Sequence, residues 1–272
     1  MVKMKGSLIM KLGVQVFTVR DFFKDINECR ESYKKIVDIG YTCVQTWPPP
    51  YLTAVELKEM LDEFGLVNCS SGGSFEQMKA DEKAITNAIA GARIFDTPYI
   101  AIGTLPDEYR YTKDGLKQYA SELNNIGKVL KKENCSLIYH HHALEFYSFG
   151  GGVNGMDILV NETDPESVLF TLDTHWLVSG GVNPVEWIYK LKGRVPIIHF
   201  KDYGIGSGAG TAIEGVDKTY AEVGEGNINW IPVIEACRET KVEFIIVEQD
   251  ICQRNPFDSI RLSYDNLKKF NL

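Results

Sequence analysis

Four polar residues at the ends of apolar, strand-like runs are the residues of this sequence best suited to chemistry. The apolar runs span residues 137–146, 168–176, 195–202 and 244–250. The residues that end them are Glu145, Asp173, His199 and Glu248, at intervals of 28, 26 and 49 residues. A strand, a helix and a return loop occupy about that length in a β/α protein. Three carboxylates and an imidazole that converge on one rim would bind a hard divalent cation.

The elements that must position these residues follow a regular β-then-α alternation. Strand-like runs occur eight times, and the first four span residues 12–18, 41–46, 66–70 and 99–102. Helical patterns are predicted near residues 25–39, 53–64, 75–92, 113–133, 183–192, 228–240 and 256–269. Eight such units in 272 residues predict an α/β fold, a (β/α)8 TIM barrel in one domain over residues 1–272.

Strand parity predicts which side chains share the mouth of the barrel. Side chains alternate across a strand, so Asp173 and His175 share a face, as do His199 and Lys201. The strands' C-terminal ends carry the active sites of such barrels. We therefore expect His175 and Lys201 to lie on the same rim as Asp173 and His199.

The histidine run at 140–142 and the first two strands contribute further candidates. Parity gives His140 and His142 an interior position and turns the histidine between them toward the outer helices. Gln15 and Gln45, on the first and second strands, are placed to reach the mouth, and Trp47 is placed to form an apolar wall. Glycine-bearing loops at 147–163 and 203–226 follow strand C-termini, where barrels carry mobile lids.

Composition restricts the classes of partner. A net charge of −8 argues against nucleic acid, because binding phosphate backbones requires a basic surface. No run approaches the 18 apolar residues of a membrane span, and Lys11 interrupts the only apolar run near the start. The six cysteines form no CxxC pair, which is typical of reduced thiols. We expect a cytoplasmic protein, with at most a second copy of itself as protein partner in a homodimer.

Four motifs resemble those of a known family. They are Tyr-His-His-His-Ala-Leu-Glu-Phe (139–146), Leu-Asp-Thr-His-Trp (172–176), His-Phe-Lys-Asp (199–202) and Val-Gly-Glu-Gly-Asn-Ile-Asn-Trp (223–230). The first is similar to a Tyr-His-Asn-His-x-x-Glu-Phe signature. Over nearly its whole length the chain resembles the xylose isomerase-like TIM-barrel superfamily of sugar isomerases and epimerases, which also contains inosose dehydratases and endonuclease-IV-like enzymes.

The resemblance implies a metal site and a catalytic pair. Carried over by motif, the family's ligands are Glu145, Asp173, His199 and Glu248, and Glu145 and Glu248 exchange the proton. The resemblance also implies that His142, His175 and Lys201 contact the substrate or the residues around the ion. The ion implied is Mn²⁺ first, with Mg²⁺, Co²⁺ or Zn²⁺ also compatible. Two departures concern substrate contacts: the second strand ends Val-Gln-Thr-Trp where many relatives have Val-Glu, and the third ends Cys-Ser-Ser-Gly where many have histidine. The missing histidines also argue against a multi-zinc DNA-repair site.

Three functions follow as hypotheses. The first is a metal-dependent isomerase or epimerase that removes the proton α to a carbonyl of a sugar or cyclitol, through an enediolate. The second uses the same metal site but expels a group from the β-carbon, as an inosose-dehydratase-like or keto-glycoside lyase. The third is a non-catalytic sugar-binding barrel. The position of a leaving group relative to the base separates the first two.

Overall fold

The predicted strands close into a parallel barrel in the computed structural model, which describes residues 10–103, 105–206 and 218–272. The barrel strands are β1 (Lys11–Gln15), β2 (Cys43–Gln45), β3 (Val67–Asn68), β4 (Ser71–Gly72), β5 (Tyr99–Ile102), β6 (Ser136–His140), β7 (Val168–Asp173), β8 (Ile197–Phe200) and β11 (Phe244–Val247). Their order in the sheet is β3-β2-β1-β11-β8-β7-β6-β5-β4. All of these pairs are parallel.

The two ends of this sheet are halves of one barrel strand. β3 pairs with β2 and β4 pairs with β5, and only Cys69 and Ser70 separate β3 from β4 in the chain. The backbone amide of Cys69 donates to the carbonyl of Val44 at 2.9 Å, and that of Gly73 donates to Ala101 at 2.9 Å. The third strand therefore closes the barrel although it is broken. The predicted (β/α)8 TIM-barrel fold is confirmed.

Helices surround the barrel, largely where the sequence predicts them. They are α1 (Ile26–Ile39), α2 (Ala54–Glu63), α3 (Phe75–Ala80), α4 (Glu82–Ile94), α5 (Lys113–Lys132), α6 (Gly155–Glu162), α7 (Thr174–Ser179), α8 (Pro184–Lys190), α9 (Trp230–Thr240) and α10 (Pro256–Lys269). Gly40 ends α1 with φ of +119°, a conformation that costs glycine least. None of the helices in the described ranges combines the length and apolar character needed to cross a bilayer.

Local hydrogen bonds explain where the predicted boundaries are wrong. The single helix expected over 75–92 is two helices, because Asp81 leaves helical geometry and its carboxylate accepts from the amide of Lys83. The loop expected over 147–163 contains α6, which begins with a capping box formed by Asn154 and Asp157. The first strand ends at Gln15, and a 3₁₀ segment replaces its predicted last residues.

The region after β8 contains a two-stranded antiparallel hairpin. Its strands are β9 (Asp202–Ile205) and β10 (Lys218–Ala221), and Tyr220 is registered opposite Tyr203. Most of the glycine run predicted as a lid, from residue 207 onward, lies outside the described residues. Asp202 anchors the chain that returns from β10, since its carboxylate accepts from the indole of Trp230 at 2.7 Å and from the amide of Gly224 at 2.9 Å.

Candidate metal centre

Four side chains from the second half of the barrel bring potential metal ligands together. They are His140, Asp173, His199 and Glu248, and one donor atom from each lies within 4.8 Å of the others. The first three end or occupy strands β6, β7 and β8, and the fourth directly follows β11. Asp173 is registered beside His199, which is itself beside Ile246, two residues before the glutamate. Parallel pairing and the two-residue repeat thus direct these side chains to one point.

The donor atoms of this group are buried and lie close together. His199 Nδ1 lies 3.0 Å from Glu248 Oε2 and 3.8 Å from Asp173 Oδ2, and His140 Nε2 lies 3.5 Å from the same Asp173 oxygen. All four atoms are buried, and none meets hydrogen-bond geometry with a partner among the described residues, although the two carboxylate oxygens pair with the Lys201 ammonium. Since buried polar atoms in folded proteins are almost always bonded, their convergence fits a common ligand.

The charges around the four donor atoms also favour a bound cation. The Lys201 ammonium lies 3.1 Å from Asp173, 2.8 Å from Glu248 and 2.8 Å from Asp250. The contacted oxygens of these three carboxylates still lack hydrogen-bond geometry, so the contacts are ion pairs only. Three carboxylates and one ammonium leave an excess of two negative charges when the imidazoles are neutral. Uncompensated buried charge is costly, and a divalent cation would neutralise it.

The buried charges of this group shift the pKa values of its members. Burial opposes a charged imidazole, but the carboxylate of Glu248 and then that of Asp173 outweigh it and raise the pKa of His199 to about 9. Burial likewise opposes ionisation of Asp173, yet Lys201 and the nearby imidazoles hold the pKa of that carboxyl well below its usual range. The group therefore attracts cations and keeps its carboxylates ionised.

A glutamine fixes the orientation of His199. Gln45 Oε1 lies 2.6 Å from His199 Nε2, and it also accepts from the Gln15 amide at 2.8 Å. The Gln45 amide donates to the Ser70 hydroxyl at 2.8 Å. With its Nε2 proton held by this oxygen, His199 presents Nδ1 to the carboxylates. Metal-bound histidines are commonly oriented by an acceptor of this kind.

Glu145 lies outside the group of four donor atoms, and its role as a metal ligand stays a prediction. Glu145 is 1% exposed. One of its carboxylate oxygens accepts from the Tyr139 hydroxyl, and the other accepts from the His142 amide at 2.8 Å. Burial raises the pKa of its carboxyl to about 7. Strand β6 ends at His140, and the imidazole of His140 therefore lies at the rim of the barrel. Glu145 follows five residues later and bonds back to Tyr139 in the strand.

The remaining predicted contacts surround the metal group. His142 is half-buried beside His140, with 4.8 Å between ring centroids, and its ring lies 5.5 Å from Trp176. His175 is 5% exposed, and its ring stacks on Tyr220 at 4.5 Å. His141 is fully buried and accepts from the backbone amide of Asp173 at 3.1 Å, which is a structural role.

A cavity of about 190 Å³, hereafter the mouth cavity, opens beside the metal group. Two of the candidate ligands, His140 and His199, line it, together with Gln15, Gln45 and Trp47. Trp47 is 46% exposed at the end of β2. The position of this cavity at the strands' C-terminal ends is the usual place for a substrate in a barrel.

Sequence reasoning missed two neighbours of the site. Asp250 shares strand parity with Glu248 and contacts Lys201, so its spacing of two residues was the available signal. Tyr220 reaches His175 only because β10 returns along β9. Nothing in the local sequence indicates that hairpin pairing.

Comparison with known proteins identifies the family of this chain. Residues 33–269 match the family described as xylose isomerase-like TIM barrel. An inosose dehydratase of Clostridium beijerinckii is 28% identical over 257 residues, covering 86% of this chain and 78% of that protein. An inosose dehydratase of Lacticaseibacillus casei is 30% identical over 165 residues, covering 56% of this chain and 53% of that protein. The chain thus spans about half the length of several curated relatives that it matches.

Solved structures support the fold independently. A sugar phosphate isomerase/epimerase from Parabacteroides distasonis superposes with a TM-score of 0.77 at 20% identity, and the match covers 98% of this chain and 95% of that one. At this identity the similarity concerns the fold. Because the family match extends over most of the sequence, this chain belongs to the xylose isomerase-like TIM-barrel family.

Proposed function

We propose that this protein is a metal-dependent lyase that removes the proton α to the ketone of an uncharged sugar or cyclitol and expels an oxygen substituent from the β-carbon. The observation that carries the proposal is the group of four buried donor atoms that lie within 4.8 Å of one another beside the mouth cavity. A divalent ion held by His140, Asp173, His199 and Glu248 would supply Lewis-acid stabilisation of negative charge on the ketone oxygen.

The donor set bears on the choice of ion. Three carboxylates and one imidazole favour hard ions such as Mg²⁺, whereas this group offers two imidazole nitrogens and two carboxylate oxygens. Imidazole suits Zn²⁺ and related transition metals better than Mg²⁺. We infer Mn²⁺, Co²⁺ or Zn²⁺ as the ion, and Mg²⁺ is disfavoured.

The placement of Glu145 favours elimination over isomerisation. The two-glutamate exchange implied by family resemblance needs a proton-transfer group on each face of the substrate. Glu145 is instead bound to the Tyr139 hydroxyl and the His142 amide, which leaves Glu248 as the only glutamate of that pair at the metal group. Elimination needs one base and one donor for the departing oxygen. We assign both roles to His142 beside the group: its imidazole takes the proton, and the imidazolium so formed returns a proton to the departing oxygen.

The lining of the mouth cavity supports an uncharged substrate. Among the described residues that line it there is no lysine or arginine, and a phosphate group would require such a partner or a helix N-terminus. The curated relatives named inosose dehydratase favour dehydration of a keto-cyclitol as the reaction to test first.

The decisive experiment is turnover of inosose by protein loaded with Mn²⁺, Co²⁺ or Zn²⁺ in deuterated water. Loss of water with formation of an enone supports the lyase, whereas solvent deuterium incorporated without loss of oxygen shows an isomerase or epimerase instead. Substitution His142→Gln should lower kcat by about 10²–10⁴-fold with the metal content unchanged. A protein that purifies without stoichiometric metal, and does not bind it on addition, would be a non-catalytic barrel.

A further inference from the structure

Lys201 places a buried positive charge against two of the candidate metal ligands. Lys201 is 1% exposed, and lysine is almost never fully buried unless it is paired. Its ammonium lies 2.8 Å from Glu248 Oε2 and 3.1 Å from Asp173 Oδ2. Both oxygens belong to the group of donor atoms that converge at the candidate metal centre. The ammonium and a bound ion therefore compete for the same two atoms.

Asp250 gives the same ammonium a partner outside that group. Asp250 Oδ2 lies 2.8 Å from Lys201 Nζ, but Asp250 is not one of the four residues whose donor atoms converge. Its side chain is 26% exposed, compared with 0% for Asp173 and 7% for Glu248. Because its carboxylate keeps contact with water, Asp250 is able to pair with Lys201 whether or not the two buried carboxylates do so.

Two aromatic rings complete the surroundings of the ammonium. Lys201 Nζ lies 5.1 Å from the ring centre of Trp176 and 6.0 Å from that of Tyr220. Ring faces attract cations at distances of up to about 6 Å, and they do so more strongly where water is excluded. Asp250 and the two rings therefore provide a place that holds the ammonium without the two ligand oxygens.

The charge of Lys201 has different consequences with and without an ion. Asp173 and Glu248 are both buried, and two carboxylates that share one buried space repel each other. In the metal-free protein, Lys201 bridges them and offsets part of this cost. Once the same oxygens hold a divalent ion, the bridge is no longer needed, and charge of like sign repels the ammonium.

We propose that Lys201 is the counter-ion of Asp173 and Glu248 in the metal-free protein, and that its ammonium withdraws to Asp250 when these two carboxylates bind a divalent ion. Asp250 is then a positioning residue, because it acts on metal binding through Lys201. This rests on the metal centre of the proposed function and not on the reaction catalysed there. A lysine that instead helps to hold the carboxylates in place for the ion would change metal affinity in the opposite direction.

Lys201→Met keeps the apolar part of the side chain and removes its charge, so the direction of its effect separates the two roles. We expect the dissociation constant of Zn²⁺, measured by competition with a chromogenic chelator, to fall at least about tenfold. The rise in Tm from EDTA to Zn²⁺ should grow as well, because the metal-free variant loses the bridge. Lys132→Met, at an exposed position of α5, is the matched control and should change neither value. Unchanged or weaker Zn²⁺ binding by Lys201→Met overturns the proposal.

Asp250→Asn removes the carboxylate to which the ammonium withdraws. We expect it to raise the dissociation constant of Zn²⁺ about tenfold in the natural chain, but by no more than about threefold in a Lys201→Met background. An equal factor in both backgrounds would mean that Asp250 acts by its charge alone, and it would overturn the positioning role. Glu31→Gln makes the same change of charge at an exposed position of α1 and should leave the dissociation constant unchanged.

Crystal structures of the natural chain with EDTA and with Zn²⁺ test the movement itself. In the Zn²⁺ form, Lys201 Nζ should stay within about 3.2 Å of an Asp250 oxygen and lie farther than about 3.5 Å from Asp173 Oδ2 and Glu248 Oε2. An ammonium that keeps both ligand oxygens in the Zn²⁺ form overturns the proposal.

The same measurements separate this proposal from the proposed function. If neither the natural chain nor any variant binds a divalent ion, the metal centre is wrong, and the proposed function fails together with this proposal. If Zn²⁺ binds to the natural chain but Lys201→Met does not tighten its binding, this proposal alone fails. Tighter binding by Lys201→Met in a protein that converts no keto-cyclitol supports the role of Lys201 and contradicts the lyase.

Discussion

At the scale of single residues, the identity of the fourth candidate ligand depends on where a strand ends. Glu145 and His140 both belong to the Tyr-His-His-His-Ala-Leu-Glu-Phe motif. The last residue of β6 is His140, whose imidazole reaches the metal group, whereas Glu145 lies in a 3₁₀ turn and bonds back to the end of the strand. Residue type alone favours the glutamate, and strand register favours the histidine.

The buried carboxyl of Glu145 predicts a pH-dependent stability difference. Burial raises its pKa from the ordinary value of 4.5 to about 7 in the folded protein. Between these values the unfolded chain releases the proton and the folded protein keeps it, so the unfolding free energy falls as pH rises. Relative to Glu145→Gln, the wild type should lose up to about 3 kcal/mol between pH 4.5 and pH 7. Urea unfolding of both proteins at pH 5 and pH 8 measures this, and parallel pH profiles contradict it.

A second residue-scale prediction concerns Gln45. Substitution Gln45→Met keeps the side-chain volume but removes the oxygen that accepts from His199 Nε2 and from Gln15. Affinity for the metal should fall by roughly 10–100-fold, as is common when the orienting partner of a ligand is lost. Competitive titration with a chromogenic chelator gives the dissociation constant. The control is Gln15→Met, which removes a donor to Gln45 and an acceptor for the Phe17 amide but leaves Gln45 Oε1 on His199, and an equal effect of the two would argue against an orienting role.

At the scale of elements, close approach between strands restricts residue choice more than strand propensity does. Gly13 in β1 pairs with Cys43 in β2, and a Cβ at Gly13 would lie 2.3 Å from the Cys43 sulfur and 2.5 Å from its carbonyl oxygen. At Gly72 in β4 an added Cβ would meet nothing within 4 Å. The two strand glycines therefore differ in what they allow.

This difference predicts that the same glycine-to-alanine substitution lowers stability at one position and hardly changes it at the other. Gly13→Ala should lower the unfolding free energy by about 1–3 kcal/mol, because the strands must separate to admit the methyl group. Gly72→Ala should change it by no more than about 0.5 kcal/mol. Chemical denaturation of the two variants beside the wild type is sufficient. If both variants lose similar amounts of unfolding free energy, the backbone conformational entropy of the strands determines the need for glycine, and contact between the strands does not.

At the scale of the whole molecule, the metal group joins β6, β7, β8 and the end of β11 across half of the barrel wall. With Lys201 and Asp250 included, its carboxylates exceed the fixed positive charge by two when the imidazoles are neutral, so a divalent cation should stabilise the entire fold. At a free metal concentration about 100 times the dissociation constant, the gain is about 2.7 kcal/mol. This corresponds to a rise in Tm of about 5–10 °C.

Thermal unfolding with EDTA and with Mn²⁺, Co²⁺ or Zn²⁺ tests this prediction. Asp173→Asn should abolish the rise, because it removes a charge and a ligand oxygen, while Glu145→Gln should keep it because Glu145 lies outside the group. If Glu145→Gln abolishes the rise and Asp173→Asn does not, Glu145 binds the ion and the assignment of Asp173 as a ligand is wrong.

The sequence by itself determined the barrel, most helices and the rim on which the polar residues stand. Apolar periodicity reports burial, glycines and caps report helix ends, and parallel strands must carry their C-termini to one side. Tertiary structure alone decided that His140 joins Asp173, His199 and Glu248 in one group and that Gln45 orients His199. These contacts depend on strand register and side-chain direction between segments that are distant in the chain. Local sequence patterns do not reveal the register, and a shift of one residue turns every side chain of a strand to the other face.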